Sequence, residues 1–422
     1  MILALNCGSS SVKYQLYEWN KHQVVCKGVV ERVGSTRSYI IHEPHNQPLF
    51  KREKPCADHK LAIQFIIDTL TDPQNGIIDS LKAIRAVGHR VVHGGTRFAR
   101  SVLINDDVLA AINDMQELAP LHNPPNISGI QSAQEVMPDI PQIAVFDTAF
   151  HQTIPDYAYM YAIPRQWYTD YGVRRYGFHG TSHLYVSKRA EVLLRQKEGL
   201  PISEKQAAYK IITLHIGNGV SITAVKNGIS VDTSMGFTPL EGAVMGSRCG
   251  DIDPAIIPFM SKKLDISCKT IVEILNKKSG LFGITGQYTD RRDVTRTAAE
   301  GDKLSQLAIE IESYRLRKYI GAYAAAMGGV DAIVFTAGVG VNNWLIREKT
   351  LQGLEYMGIK IDKAKNLTAV GKTAEIDISL TGADTSVFII PTNEEIVFIE
   401  DVVAILENRY DTHTKFRYSF QS

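Results

Sequence analysis

Five short apolar runs recur along the chain, each breaking off in polar or glycine-rich residues. They are "ILALN" ending at Asn6, "IAVFD" ending at Asp147, "IITLH" ending at His215, "AIVFTAG" ending at Gly338, and "VFIIPTNEE" reaching Glu394. Continuous apolar runs of this length read as strands buried on both faces of a helix-covered sheet. Ligands gather beyond the carboxyl ends of such strands, and all five runs carry their chemistry-bearing residues at that end. Between them lie amphipathic stretches, "HKLAIQFIIDTL" and "LSQLAIEIESYRLRKYIGAYAAAM", and a third, "HGTSHLYVSKRAEVLL", with Thr181 or Ser182 as its expected N-cap. "EIVFIEDVVAILENRY" reads as a closing helix. The pattern predicts an α/β doubly wound architecture.

The opening stretch "ILALNCGSSSVKYQL" superposes on "IITLHIGNGVSITAV", with Leu5, Asn6 and Gly8 matching Leu214, His215 and Gly217. Each half of the chain therefore starts with strand, small polar loop, strand. The loop at Gly8 reads as a hairpin turn or as a phosphate cradle. Backbone N–H groups, the hydroxyls of Ser9 and Ser11, and the Lys13 cation would all serve a phosphate. Two such loops facing one cleft would hold two ends of a polyphosphate.

Bulk properties narrow the field. At 422 residues two domains are expected, and 44% hydrophobic with 22% charged residues is a soluble composition. A formal net charge of +1 gives no general attraction for nucleic acid or anionic membrane. The five scattered cysteines lack CxxC spacing and suggest a reducing, cytoplasmic setting. No stretch approaches the ~18 apolar residues of a membrane span.

No GxxxxGK[ST] or strand-linked GxGxxG is present. "HRVVH" and "HGTSH" space histidines four apart but lack the glutamate of HExxH, so His89, His93 and His183 read as helix-face or loop residues rather than zinc ligands. Arg90 in "GHRVVHGG" and Arg248 in "MGSRCGDIDP" stand beside glycines, where a guanidinium can meet a carboxylate or phosphate bidentately; a surface salt bridge is the alternative. Asp147 and Glu394 lie at strand ends, where helix capping is the alternative.

Taken together, "LNCGSSSVK", "GHRVVHGG", "PLHNPPN", "AVFDTAFH", "RYGFHGTSH", "HIGNG", "DTSMGFTPLEG", "MGSRCGDIDP" and "IPTNEE" resemble the acetate kinase family, in family order from Leu5 to Glu395. The resemblance implies two duplicated actin-like (ribonuclease H-like) domains with a cleft between them. The first would be 1–149 plus 395–422 and the second 150–394. It also implies reversible transfer of the ATP γ-phosphoryl to acetate. Propionate or butyrate kinase, or an actin-like ATPase without an acyl acceptor, are the alternatives.

By the same resemblance Arg90 and Arg248 hold the carboxylate and the transferring phosphoryl, His179 and Arg248 stabilise the transition state, and Asn6 contacts the same phosphoryl. Asp147 serves positioning, and Asn6 and Glu394 are the Mg²⁺ ligands, with Mn²⁺ able to substitute. Val92, Leu121, Phe178 and Pro239 form the acyl pocket, and Val92 makes it shallow. Ser9, Ser11, Lys13, His215, Gly217, Asn218, Gly219, Asp290, Arg291, Arg292, Gly338, Val339, Gly340 and Asn342 line the ATP site, with Arg291 either a phosphate contact or a solvated arginine. Departures from the family pattern fall at the adenosine end: Tyr288, Thr289 and Arg291 in "TGQYTDRRDV", Val341 in "AGVGVNN", and Val220 after "GNG". ATP and acetate are the implied partners, with no nucleic acid or membrane, in a cytoplasmic homodimer.

Overall fold

All five apolar runs form strands in a computed structural model that describes residues 1–119, 122–201, 208–369, 374–412 and 415–421. The chain divides into two units. Unit 1 comprises Met1–Ala149 and Glu394–Tyr418; unit 2 comprises Phe150–Asn393 and the C-terminal turn Ser419–Gln421. That turn joins unit 2 rather than the first domain because Arg189 donates to the Phe420 carbonyl and the Phe420 ring packs 4.6 Å from that of Tyr185.

Unit 1 is built on β1 (Ile2–Cys7), β2 (Ser11–Glu18), β3 (Gln23–Glu31), β4 (Tyr39–Pro44), β5 (Phe50–Glu53), β6 (Ala86–Val91), β7 (Val102–Leu103) and β8 (Gln142–Phe146). Their order in the sheet is β5-β4-β3-β2-β1-β6-β8-β7. Strands β1, β6 and β8 run parallel, whereas β1 to β5 form an antiparallel meander. Helices His59–Leu70 and Asn123–Val136 contribute Phe65, Ile66 and Ala133 to one apolar cluster. The closing helix Glu394–Leu406 packs Phe398, Ile399, Val402 and Val403 against Ile2, Ala86, Ile143 and Val145 in another.

Unit 2 contains β9 (Lys210–Ile216), β10 (Val220–Lys226), β11 (Ile229–Thr233), β12 (Ala332–Thr336), β13 (Ile376–Asp377) and β14 (Ser386–Ile389), ordered β11-β10-β9-β12-β14-β13. Its antiparallel β11-β10-β9 followed by parallel β9-β12-β14 repeats the order and directions of β3-β2-β1-β6-β8. The actin-like fold is thus present twice. In the hairpins, Cys7 pairs with Val12 and Ile216 with Val220, so the second loop is one residue shorter. The sequence match therefore holds through Gly8 and Gly217 and slips by one residue in the second strand, where Lys13, opposite Asn6, corresponds to Ser221, opposite His215.

Several local expectations change. Strand β6 has no continuous apolar run to announce it, because "AVGHRV" contains a glycine and two polar residues. Gly88 is there for packing: a Cβ on it would collide with the Phe398 ring and stand 2.9 Å from Val402. Strand β12 stops at Thr336, and Ala337–Asn342 is already helical, with Ala337 at φ 62° making the turn. Strand β14 stops at Ile389, before Glu394 opens the closing helix. Neither Thr181 nor Ser182 caps the helix Gly180–Lys197. The preceding residue is His179 in the left-handed region (φ 57°), and the Ser182 hydroxyl bonds His215 Nδ1 at 2.8 Å instead. His89 lies on a strand, and His89, His93 and His183 are all buried.

Burial pushes His89, His93 and His151 down to about 4 from the ordinary 6.5. Between those values the unfolded chain holds protons that the folded chain does not, so stability falls as pH drops from 6.5 towards 4. His89→Gln keeps a donor for Gln142 Oε1, which the imidazole Nε2 meets at 2.7 Å. It is expected to lower proton uptake on unfolding near pH 5 by about one proton, measured from urea melts across pH. Gly88→Ala is expected to cost about 1–3 kcal/mol by overpacking, with Phe398→Ala in the same chain recovering part of it in a double-mutant cycle.

Candidate functional site

In unit 1 three adjacent parallel strands end at one edge. Leu5 is in register with His89 and Arg90 with Val145, so Asn6, Arg90 and Asp147 follow one another across β1, β6 and β8. Asp147 is buried, and its N–H donates to the Val91 carbonyl at 3.0 Å. Arg90 grips its carboxylate bidentately, Nε to Oδ1 at 2.9 Å and Nη2 to Oδ2 at 2.7 Å. Glu394 Oε2 stands 4.0 Å from the same Nη2. Asp147, with Glu394 and Glu395 behind it, pushes the guanidinium further up, so Arg90 stays charged. Burial lifts the Asp147 carboxyl while Arg90 pulls it down; the bidentate contact keeps the ion pair. Three acids around one guanidinium leave a net negative edge. With the Asn6 amide and the partly exposed Glu394 carboxylate, this is hard-oxygen donor chemistry of the kind a divalent cation takes when substrate oxygens complete its shell.

Two asparagines hold this edge in shape. Asn126 Oδ1 accepts from Val92 N at 3.1 Å, and its Nδ2 donates to the Cys7 carbonyl at 2.8 Å, tying the segment after β6 to the end of β1. Asn123 exchanges hydrogen bonds with the backbone of His93. The Gly8 loop is closed by Gly8 N to the Ser11 carbonyl at 2.8 Å; Ser9 and Lys13 are exposed and Ser11 half-buried.

In unit 2 the hairpin loop Gly217–Gly219 closes through Gly217 N to the Gly219 carbonyl at 3.0 Å. Gly246 N holds the Asn218 carbonyl at 3.2 Å, and Arg291 Nη1 holds the Gly217 carbonyl at 2.8 Å. A Cβ on Gly219 would stand 3.5 Å from His179 Nε2 and 3.6 Å from Arg248 Nη1, so both side chains converge on this glycine. His179 stacks on His215 with centroids 4.0 Å apart. Arg248 donates to the Pro239 carbonyl at 3.0 Å and has no carboxylate partner among the described residues; desolvation pulls its guanidinium down. Arg175 steadies the segment leading to Pro239, donating to the carbonyls of Thr233, Ser234 and Met235 while pairing with Glu241 at 2.7 Å.

A family model described as the acetokinase family matches residues 1–400. The chain belongs to that family. Among curated acetokinases, the acetate kinase of Geobacter metallireducens is 58% identical, covering 100% of this chain and 98% of its own. That of Treponema pallidum is 51% identical, covering 100% and 92%. Of solved structures, an acetate kinase from Porphyromonas gingivalis superposes with TM-score 0.89 at 44% identity, covering 96% of this chain and 99% of its own. A propionate kinase from Francisella tularensis gives 0.84 at 41%, covering 95% and 98%.

Against this acetokinase frame, the expected residues fall into two sets. Unit 1 assembles Asn6, Arg90, Asp147 and Glu394, with Val92 beside Arg90; unit 2 assembles His179, Arg248, Pro239, His215 and the Gly217–Gly219 loop. Phe178 is buried, its carbonyl accepting from His151 Nε2 at 3.0 Å. Leu121 lies outside the described residues. Arg291 is not a solvated arginine: it is buried, pairs with buried Glu312 at 2.6 Å and braces the loop at Gly217. Asp290 caps the helix Arg291–Ala299 and pairs with Arg292, whose side chain is 91% exposed. Gly338, Val339, Gly340 and Asn342 lie on the short helix Ala337–Asn342. That helix is pinned by Arg347, which donates to the carbonyls of Gly340 and Val341 and is wholly buried. Burial of this cation brings its pKa down to about 10.

Sequence reasoning passed over Asn123, Asn126, Arg175 and Arg347. The first two stand inside the quoted "PLHNPPN", where two asparagines next to prolines are a readable signal, and Arg175 opens the quoted "RYGFHGTSH"; Arg347 lies in no quoted motif. Arg291→Met is expected to cost about 3–5 kcal/mol by stranding Glu312, most of it recovered by adding Glu312→Leu. Amide exchange at Gly217–Gly219 should stay faster than wild type in both variants, because the Gly217 carbonyl has lost its brace.

Proposed function

We propose that this chain is an acetate kinase, moving the γ-phosphoryl of ATP directly and in line onto an acetate oxygen to give acetyl phosphate and ADP, reversibly. The observation that carries this reading is Arg248, a half-buried guanidinium with no carboxylate partner among the described residues, converging with His179 Nε2 on Gly219. A cation so placed needs an anion.

Acetate is ionised at neutral pH, as carboxylic acids with pKa about 4 are, so no general base is required. The task is to bring one anion up to another, which calls for positioning and for donors aimed at the transferring group. Arg248 and His179 Nε2 supply such donors from unit 2. Arg90, oriented by Asp147, offers its remaining N–H groups to carboxylate or phosphoryl, and Asn6 adds an amide N–H. Asn6 and Glu394 would hold Mg²⁺, which when bound neutralises phosphate charge. The Gly8 and Gly217–Gly219 loops bind the phosphates, and the short helix pinned by Arg347 lies towards the nucleoside.

Acetate is favoured over propionate because Val92 shortens the acyl pocket. One methylene is worth about 1–3 kcal/mol, so propionate is a poorer substrate rather than an excluded one. The enzyme works as a cytoplasmic homodimer. The helix Ile256–Leu264 has no buried residue and exposes Ile256, Phe259 and Leu264, which suits cover by a second copy. All five cysteines are free, and among the described residues no helix is long and apolar enough to cross a membrane.

Acyl phosphate trapped with hydroxylamine tests the reading. With ATP–Mg²⁺, turnover should be highest on acetate and fall about 10²–10³-fold in Arg248→Ala and in His179→Ala. ADP release without trapped acyl phosphate from any short carboxylate would contradict it.

A further inference from the structure

A buried polar seam runs behind His179. Thr213 and His215 on β9, and Ser221 and Thr223 on β10, share one face of the hairpin, since His215 pairs with Ser221 and Thr213 with Thr223. His179, Ser182 and His183 meet that face from the start of the helix Gly180–Lys197, at the i, i+3, i+4 spacing of one helical side. His179 Nδ1 lies 2.8 Å from Ser221 Oγ, and Ser221 Oγ lies 2.7 Å from His183 Nε2. His183 Nδ1 lies 2.7 Å from Thr213 Oγ1. Ser221 and His183 are fully buried, as is Thr213, where apolar side chains would otherwise pack.

Each hydroxyl in the chain has one proton to donate, and a neutral imidazole has one N–H. His183 is neutral, held well below 6.5 by burial. The whole seam therefore has one of two directions. If His179 Nδ1–H donated to Ser221, the sequence would end with Thr213 donating to the Thr223 carbonyl at 3.5 Å, at the outer limit of a hydrogen bond. In the opposite direction Thr213 donates to His183 Nδ1 at 2.7 Å, His183 Nε2–H donates to Ser221, and Ser221 donates to His179 Nδ1. Every bond is then short.

We infer that Ser221, His183 and Thr213 act as positioning residues that fix His179 in the neutral tautomer carrying its proton on Nε2, the atom facing Gly219. The imidazole then donates a hydrogen bond from Nε2 without being charged. Protonating Nδ1 would require Ser221, His183 and Thr213 all to reverse. The consequence for turnover rests on the acetate kinase reading; the tautomer does not.

The test is long-range ¹H–¹⁵N correlation of ¹⁵N-histidine-labelled full-length protein, with the His179 signals assigned from His179→Gln, alongside kcat and KM for acetate and ATP. In the wild type, His179 Nδ1 should give a bare-nitrogen signal and Nε2 a protonated one. Ser221→Ala should convert this to mixed tautomers and lower kcat, by less than the ~10²–10³-fold that loss of the donor itself costs, with both KM values little changed. Ser221→Thr should restore both readouts. Thr213→Val, at the far end of the seam, should loosen the tautomer in the same sense and covers the case in which Ser221→Ala fails to fold. A protonated Nδ1 in the wild type, or an unchanged tautomer in both variants, would overturn the assignment. A shifted tautomer with unchanged kcat would overturn its catalytic role. If the wild type forms no acyl phosphate yet shows protonated Nε2, the functional reading falls and the positioning stands.

Discussion

A guanidinium partly withdrawn from water without a carboxylate is costly, and the candidate site in unit 2 is arranged around such a group. Arg90, Arg175 and Arg291 each meet an acid at 2.6–2.7 Å. Among the described residues Arg248 meets only the Pro239 carbonyl and the Met245 sulfur. Its neighbourhood is nevertheless rigid: Gly280, at φ 60°, lies so close to the Met245 and Arg248 carbonyls that a side chain would not fit, and Gly246 closes on Asn218. The segment that carries the unpaired charge is thus fixed by backbone packing. An anion bound there would offset its cost, and on the proposed reading that dependence would couple binding to chemistry.

The duplicated sheet explains how one architecture supplies two different chemistries. In unit 1 the ends of β1, β6 and β8 present an amide, a guanidinium and a carboxylate in register. In unit 2 the equivalent hairpin places His215 where unit 1 has Asn6, and Ser221 where it has Lys13. The exposed lysine of the first hairpin is replaced by a buried hydroxyl that serves an imidazole at the start of the preceding helix. Strand topology was kept while the inward face of the second hairpin became polar.

The five apolar runs and the helices His59–Leu70 and Lys303–Met327 were legible because each element's periodicity agrees with its burial. Strand β6 was not, since Gly88 serves the approach of Phe398, more than 300 positions away in the chain, and a lone glycine in a strand carries no record of that. Arg90, His179 and Arg248 are singled out by motif company rather than by pattern. The brace at Arg291 was not legible because its partner Glu312 is on another helix, and nothing local separates a braced arginine from a free one. The Thr181/Ser182 cap failed for a related reason: the Ser182 hydroxyl is taken by His215 across the fold.

Calorimetric titration of acetate into the enzyme with ADP–Mg²⁺ present tests the central claim, that Arg248 is uncompensated because it receives the substrate anion. Heat of acetate binding to the wild type, abolished in Arg248→Gln while ADP affinity is unchanged, is the predicted result. Equal acetate affinity in wild type and Arg248→Gln would contradict it.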